Sequence, residues 1–231
     1  MRIFIGTKEN DEELEDSLKS HENLIQYIKW PSKRKNKLDQ NKIFPLDFGA
    51  EKDFYIHFSG YQKISEEIIN KMPERMINIH PAPPWYRGSG GINLAIYNRE
   101  TDFGITVHKI SKEYDDGEIL GFYPIELETE TFINDSLILI NNKKIEIIKD
   151  IISKICKTES LINIFSSKNN LPSWSGPIRK INEIDELSTL KYENSSEFKN
   201  ELLIKLRAFA TKHNPITIEL DGKKYNVFSI D

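Results

Sequence analysis

Up to His80 the chain alternates short apolar runs with polar stretches that carry helix-start chemistry, and this alternation restricts its fold more than any other feature. The runs lie at residues 2–5, closed by Gly6, and at 24–30, 53–59 and 76–80. Rich in Ile, Phe and Tyr and too short for helices, they read as buried strands. Between them, Asn10-Asp11-Glu12-Glu13 places acids in a helix's first turn, with Leu14 and Leu18 on its inner face. Ser65-Glu66-Glu67 opens a second helix through Ile68 and Ile69. Residues 31–45, rich in Lys and Asn, read as a loop, 92–98 as a helix, and 103–110 and 118–126 as strands. Strands and helices in this order predict an α/β domain with a mainly parallel sheet.

Beyond Asn134-Asp135, the residues Leu137, Ile138, Ile145, Ile148, Ile151, Ile152 and Ile155 sustain an apolar pattern long enough for one long helix. The main domain is therefore assigned to 1–156 and a small C-terminal region to 157–231. That region reads as a loop containing Pro172 and Pro177, a helix opened by the capping box Asn194-Ser195-Ser196-Glu197, and a β-hairpin, residues 216–220 and 223–230, turning at Asp221-Gly222.

Composition excludes several classes of partner. The 231 residues are 38% hydrophobic and 29% charged, typical of a packed globular chain, and fit one main core with a small appendage. A net charge of −4 gives no global basic surface for nucleic acid, and the Lys33, Arg34, Lys35, Lys37 run reads as a solvated loop. No apolar stretch approaches the roughly 20 residues that span a bilayer, so no membrane partner is expected. The single cysteine, Cys156, forms no intrachain disulfide and is expected to be buried on a helix. A reducing compartment, the cytoplasm, is the expected location.

The chemistry concentrates in Asn78-Ile79-His80-Pro81-Ala82-Pro83-Pro84-Trp85-Tyr86-Arg87-Gly88. Residues i and i+2 of a strand share a face, so Asn78 and His80 point together at the strand's carboxyl end, where open α/β sheets bind ligands. A second patch, Gly104-Ile105-Thr106-Val107-His108-Lys109-Ile110, runs into an acidic loop holding Asp115-Asp116-Gly117. A carboxylate from that loop beside His80 favours the charged imidazole and fixes its tautomer, as general acid–base chemistry near neutral pH requires. Asp115 and Asp116 both qualify. The spacings H-x-x-x-H and C-x-x-C are absent, so no metal is expected. Gly6-Thr7-Lys8 ends the first strand without G-x-G-x-x-G, the phosphate cradle of a dinucleotide site.

The order NIHP, YRG, GITVH and D-x-G resembles the folate-dependent formyltransferase family over much of the first domain, and Leu206-Arg207-Ala208-Phe209 followed by Asp221-Gly222-Lys223-Lys224-Tyr225 resembles the short C-terminal region of its nucleotide-sugar N-formyltransferases. The resemblance implies a Rossmann-like formyltransferase domain with a mainly parallel sheet, plus a small C-terminal helix and β-hairpin region. It implies catalysis by Asn78, His80 and Asp115. Phe58-Ser59-Gly60-Tyr61-Gln62-Lys63-Ile64 is similar to the family's folate-binding segment. The implied contacts to the co-substrate 10-formyltetrahydrofolate are thus Gly60, Tyr61, Gln62, Lys63, Ile64, His108 and Asp116. Those to the acceptor are Pro81, Trp85, Tyr86, Arg87 and Gly88. Trp174 is a candidate for stacking on a nucleotide base, beside a packing role. Where the family usually reads HPSLLP, this chain has His80-Pro81-Ala82-Pro83-Pro84-Trp85, a difference on the acceptor side.

The implied reaction moves a formyl group from 10-formyltetrahydrofolate to the amine of a nucleotide-linked amino sugar, such as dTDP-4-amino-4,6-dideoxyglucose, in O-antigen biosynthesis. The amine attacks directly, Asn78 and His80 stabilise the tetrahedral oxyanion, and Asp115 supports His80 and proton removal. A homodimer is expected. The short, nearly neutral C-terminal region sets the chain apart from methionyl-tRNA formyltransferases, which are expected to carry a larger basic domain. A regulatory domain of the formyltetrahydrofolate hydrolase type is not expected. The alternatives are a glycinamide ribonucleotide formyltransferase and a non-catalytic folate or nucleotide-sugar binding protein.

Overall fold

The computed structural model describes residues 1–31, 39–60, 63–158, 164–165 and 170–229. The basic run at 33–37 lies outside them, as do Tyr61, Gln62 and the end of the expected hairpin at 230. The first strands are β1 (Ile3–Lys8), β2 (Ile25–Trp30), β3 (Phe54–His57) and β4 (Met76–His80), with α1 (Glu12–Ser17) after β1 and α2 (Glu66–Ile69) before β4. Ser65 caps α2, its Oγ accepting from the Ile68 amide. There follow β5 (Arg87–Gly88), α3 (Gly91–Tyr97), β6 (Asp102–Lys109), β7 (Ile119–Glu126) and the long α4 (Ile133–Thr158). The chain continues through β8 (Ile178–Arg179), α5 (Ile181–Leu187), β9 (Thr189–Lys191), α6 (Ser196–Phe209) and the hairpin β10 (Ile216–Leu220) and β11 (Lys223–Val227).

Six strands form the main sheet in the order β2-β1-β3-β4-β6-β7. The first four run parallel, and β6 pairs antiparallel with β4. The expected mainly parallel α/β sheet is therefore present. Two compact units divide the chain, one of residues 1–80, 106–122 and 142–174, the other of 81–105, 123–141 and 175–231.

In the first unit, β1 is buried on both faces. Phe4 joins a cluster with Ile28, Trp30, Phe44, Tyr55 and Met76, while Ile3 and Ile5, pointing the other way, are fully buried too. Ile145, Ile148, Ile151, Ile152 and Ile155 form one apolar stripe of α4. Cys156 sits on this helix but is exposed, contrary to expectation, because it falls one residue past that stripe.

In the second unit, α3 is tied to α6 by Asn93, which donates to the Ala208 carbonyl, and by the Tyr97 hydroxyl, which donates to Glu201. Buried Lys205 donates to the carbonyls of Leu187 and Thr189 at 2.5 and 2.9 Å, satisfying the C-terminus of α5. The β10–β11 hairpin turns at Asp221 (φ 50°) and Gly222 (φ 72°), as its Asp-Gly sequence predicts, and gains β9 as a third, parallel strand. The predicted capping box is displaced. Ser195, not Asn194, is the N-cap of α6, its Oγ accepting from the Phe198 amide, so Glu197 falls too early to close the box. Leu137 and Ile138 are exposed, since the buried face at that end of α4 runs through Ile133, Ser136 and Ile140.

Candidate active site

Asn78 and His80 end β4 on one face, and the antiparallel register of β6 sets His108 opposite Asn78 and Thr106 opposite His80. This pairing brings the Asn78 amide nitrogen within 3.0 Å of His108 Nε2. His108 Nδ1 lies 2.8 Å from the Lys109 carbonyl, which only accepts, so Nδ1 carries the proton and Nε2 accepts from Asn78. His108 thereby fixes which way the Asn78 amide faces.

Asp115 enters from the loop between β6 and β7. Its Oδ1 is 3.4 Å from His80 Nδ1 and 3.5 Å from His108 Nε2, so the carboxylate stands between the two imidazoles. With Nε2 of His108 accepting from Asn78, His80 Nδ1 is the imidazole nitrogen left to donate to the carboxylate. The loop reaches this position through a left-handed residue, Asp115 itself (φ 44°), a conformation Asp tolerates better than most side chains. Two residues on, a Cβ at Gly117 would lie 1.8 Å from the Lys109 carbonyl oxygen. The D-x-G sequence is thus a steric requirement, with Asp at the left-handed corner and Gly where the turn presses on the end of β6. His80, His108 and Asp115 are 4%, 3% and 8% exposed, a low-polarity setting in which their mutual interactions are strong. Of the two candidate acids, Asp115 meets the histidines and Asp116 is exposed.

Trp174 completes the cluster. Its Nε1 donates to the Gly117 carbonyl at 2.6 Å, and its ring stands edge-on to His108 with centroids 4.9 Å apart.

The 58–60 segment is anchored from beneath. The amides of Phe58 and Ser59 donate to the Gly6 carbonyl at 2.8 and 3.2 Å. Ser59 Oγ meets Thr7, Asp11 and the Lys8 amide. A buried relay runs from Trp30 Nε1 to the Tyr55 hydroxyl and on to His57 Nδ1, and the backbone of Gly60 is the other partner of His57. Burial pushes the His57 pKa down to about 4, so this imidazole is neutral. Gly60 has φ 142°, and a Cβ there would press on Trp30 and His57. Lys144, buried on α4, donates to the Phe58 carbonyl at 2.5 Å and lies over the Phe58 ring. Burial lowers its pKa to about 7.

The other predicted residues fall in different places. Ile64 packs in the core, while exposed Lys63 pairs with Glu113 at 3.1 Å. Both line a cleft of about 360 Å³ with Ser65, Glu66, Lys112 and Glu113. Pro81, Trp85, Tyr86, Arg87 and Gly88 belong to the second unit. There Pro81 and Trp85 are exposed, and the Tyr86 hydroxyl donates to Glu100 at 2.6 Å and accepts from Asn98. Gly88 (φ 84°) lets β5 approach β8, where a Cβ would lie 2.3 Å from the Arg179 carbonyl. Sequence reasoning missed His57, whose hydrogen-bond partners Tyr55 and Gly60 are local, and it missed Lys144 and the packing of Trp174 on His108, both contacts between segments distant in the chain.

Asn78, His80 and Asp115 thus converge where β4 ends, at the carboxyl edge of a Rossmann-like sheet. The sequence pattern of the formyl transferase family matches residues 25–143, more than half of the chain, and the chain belongs to that family. It is 31% identical over 129 residues to the methionyl-tRNA formyltransferase of Borrelia duttonii (strain Ly), covering 55% of this chain and 41% of that relative. The chain thus spans less than half the length of the curated relative it matches. A 4-N formyltransferase from Francisella tularensis superposes with a TM-score of 0.71 at 20% identity, covering 99% of this chain and 96% of that one. The N-formyltransferase of Helicobacter canadensis, solved with folinic acid and dTDP-3-aminofucose, gives 0.67 at 20% identity, over 97% of this chain and 86% of that one.

Proposed function

We propose that the chain transfers a formyl group from 10-formyltetrahydrofolate to the amine of a nucleotide-linked amino sugar. The observation that carries this reading is the convergence of Asn78, His80, His108 and Asp115 where β4 ends. The Helicobacter canadensis N-formyltransferase, similar over 97% of this chain and solved with dTDP-3-aminofucose, supports the sugar as acceptor class. dTDP-4-amino-4,6-dideoxyglucose, a role in O-antigen synthesis, a cytoplasmic site and a homodimer belong to the same proposal. No helix among the described residues is long and apolar enough to cross a membrane.

The chain's own groups suit the co-substrate. Lys63 and Lys112 line the cleft beside the 58–60 segment, where they suit the carboxylates of a glutamate tail. In the reaction the amine attacks the formyl carbon, and charge develops on the formyl oxygen. One N–H of Asn78 is held by His108, leaving the other, with the His80 imidazolium, to donate to that oxygen. Asp115 stabilises His80 in its charged form, and the buried setting strengthens both interactions. The proton lost by the amine passes to the Asp115 carboxylate through a water it orients.

The test is a panel of acceptors incubated with 10-formyltetrahydrofolate: dTDP-4-amino and dTDP-3-amino sugars, glycinamide ribonucleotide and methionyl-tRNA. A formylated sugar alone is the expected product. Formylation of glycinamide ribonucleotide or of the tRNA instead moves the acceptor, and no product from any of them refutes the transfer.

A further inference from the structure

We propose that Trp174 sets how the formyl group partitions between amine and water, shielding His80 and Asp115 from solvent and holding the turn that carries Asp115. The inference rests on the transfer proposed above. Water is chemically competent wherever the amine is. It attacks the same formyl carbon, a C–O bond forms, the bond to N10 breaks, one of the water's protons ends on N10, and the other is released to solvent as formate departs. The oxyanion donors Asn78 and His80 assist both nucleophiles equally, so the site's donors alone give no preference for the amine. Preference then requires that water be kept out.

Trp174 is placed to do this. Its ring stands perpendicular to His108 (87°, centroids 4.9 Å apart) and lies 6.0 Å from His80, so one indole packs against both imidazoles. Its Nε1 holds the Gly117 carbonyl at 2.6 Å, two residues from Asp115, in a turn that the left-handed backbone of Asp115 strains. His80, His108 and Asp115 are all nearly inaccessible with the indole in place. Trp174 itself remains partly exposed, as a group between the site and solvent must be.

The experiment measures formate and formylated acceptor together for the wild type, Trp174→Ala and Trp174→Phe, with folding checked by thermal melts. A merely structural role lowers both products in step, whereas the shielding role changes their ratio. Trp174→Ala is expected to raise the formate-to-product ratio by about tenfold. Trp174→Phe, which keeps a ring but loses the bond to Gly117, is expected to raise it about threefold. A folded Trp174→Ala with the wild-type ratio overturns the proposal. Should that variant not fold, an unchanged ratio in Trp174→Phe overturns it. Absence of any formyl transfer by the wild type refutes the proposed function and this inference with it, whereas wild-type transfer with unchanged variant ratios refutes only the role of Trp174.

Discussion

Replacing Lys144 with Met should abolish a rise in stability with pH that the wild type shows. In the fold the ammonium is buried over the Phe58 ring, its Nζ bonded to the Phe58 carbonyl, with Asp11 favouring its charge and Lys8 opposing it. Burial dominates and lowers the pKa from 10.5 to about 7. Between those two values the unfolded chain holds the proton and the folded chain has released it, so stability climbs as pH rises through this window. Integrating between an unfolded pKa of 10.5 and a folded pKa of about 7 gives about 2 kcal/mol from pH 7 to pH 9. Met keeps most of the volume and does not titrate. Urea unfolding of both proteins at pH 6, 7, 8 and 9 isolates the term, because all other titrations cancel in the difference. A wild-type advantage that grows by about 2 kcal/mol from pH 7 to 9 is expected. A difference that stays flat refutes the assignment of Lys144 as a buried, depressed amine.

Three further outcomes follow from the same geometry. His57 carries a pKa depressed by burial to about 4, so the unfolded chain binds its proton first and stability falls as pH drops from 6.5 towards 4; His57→Gln should blunt that acid loss in denaturant titrations. Gly117→Ala drives a methyl into the Lys109 carbonyl and should destabilise the fold by about 3 kcal/mol or more, read as a lowered melting temperature. Asp115→Asn removes the charge beside His80 while preserving its shape, and should lower kcat by about a hundredfold with little change in the KM for folate, measured under saturating acceptor.

Much of the fold follows from short-range patterns. Strands β1 to β4, buried on one or both faces, announce themselves as apolar runs, and the Asp221-Gly222 turn dictates its own hairpin. The two-residue strands β5 and β8, and three-residue β9, are too short to show any period, and α5 lacks a Ser, Thr, Asp or Asn cap because Lys180 precedes it. The site divides the same way. Asn78 and His80 are legible from strand periodicity, and the acidic turn from its composition, but the choice of Asp115 over Asp116 depends on a left-handed corner that only the folded backbone displays. Lys144 reads as a solvent-facing lysine on an amphipathic helix until its partner, 86 residues earlier, is seen. Trp174 is equally opaque, since nothing in Pro172-Ser173-Trp174-Ser175-Gly176 signals a contact with His108.

The most direct test of the central claim is formyl transfer by wild type and His80→Ala, with 10-formyltetrahydrofolate and a dTDP-linked amino sugar, followed by product mass in single turnover. The account predicts a formylated sugar from the wild type and a rate at least about a hundredfold lower from the variant. A wild type that makes no formylated sugar, or a folded His80→Ala that transfers at the wild-type rate, would contradict it.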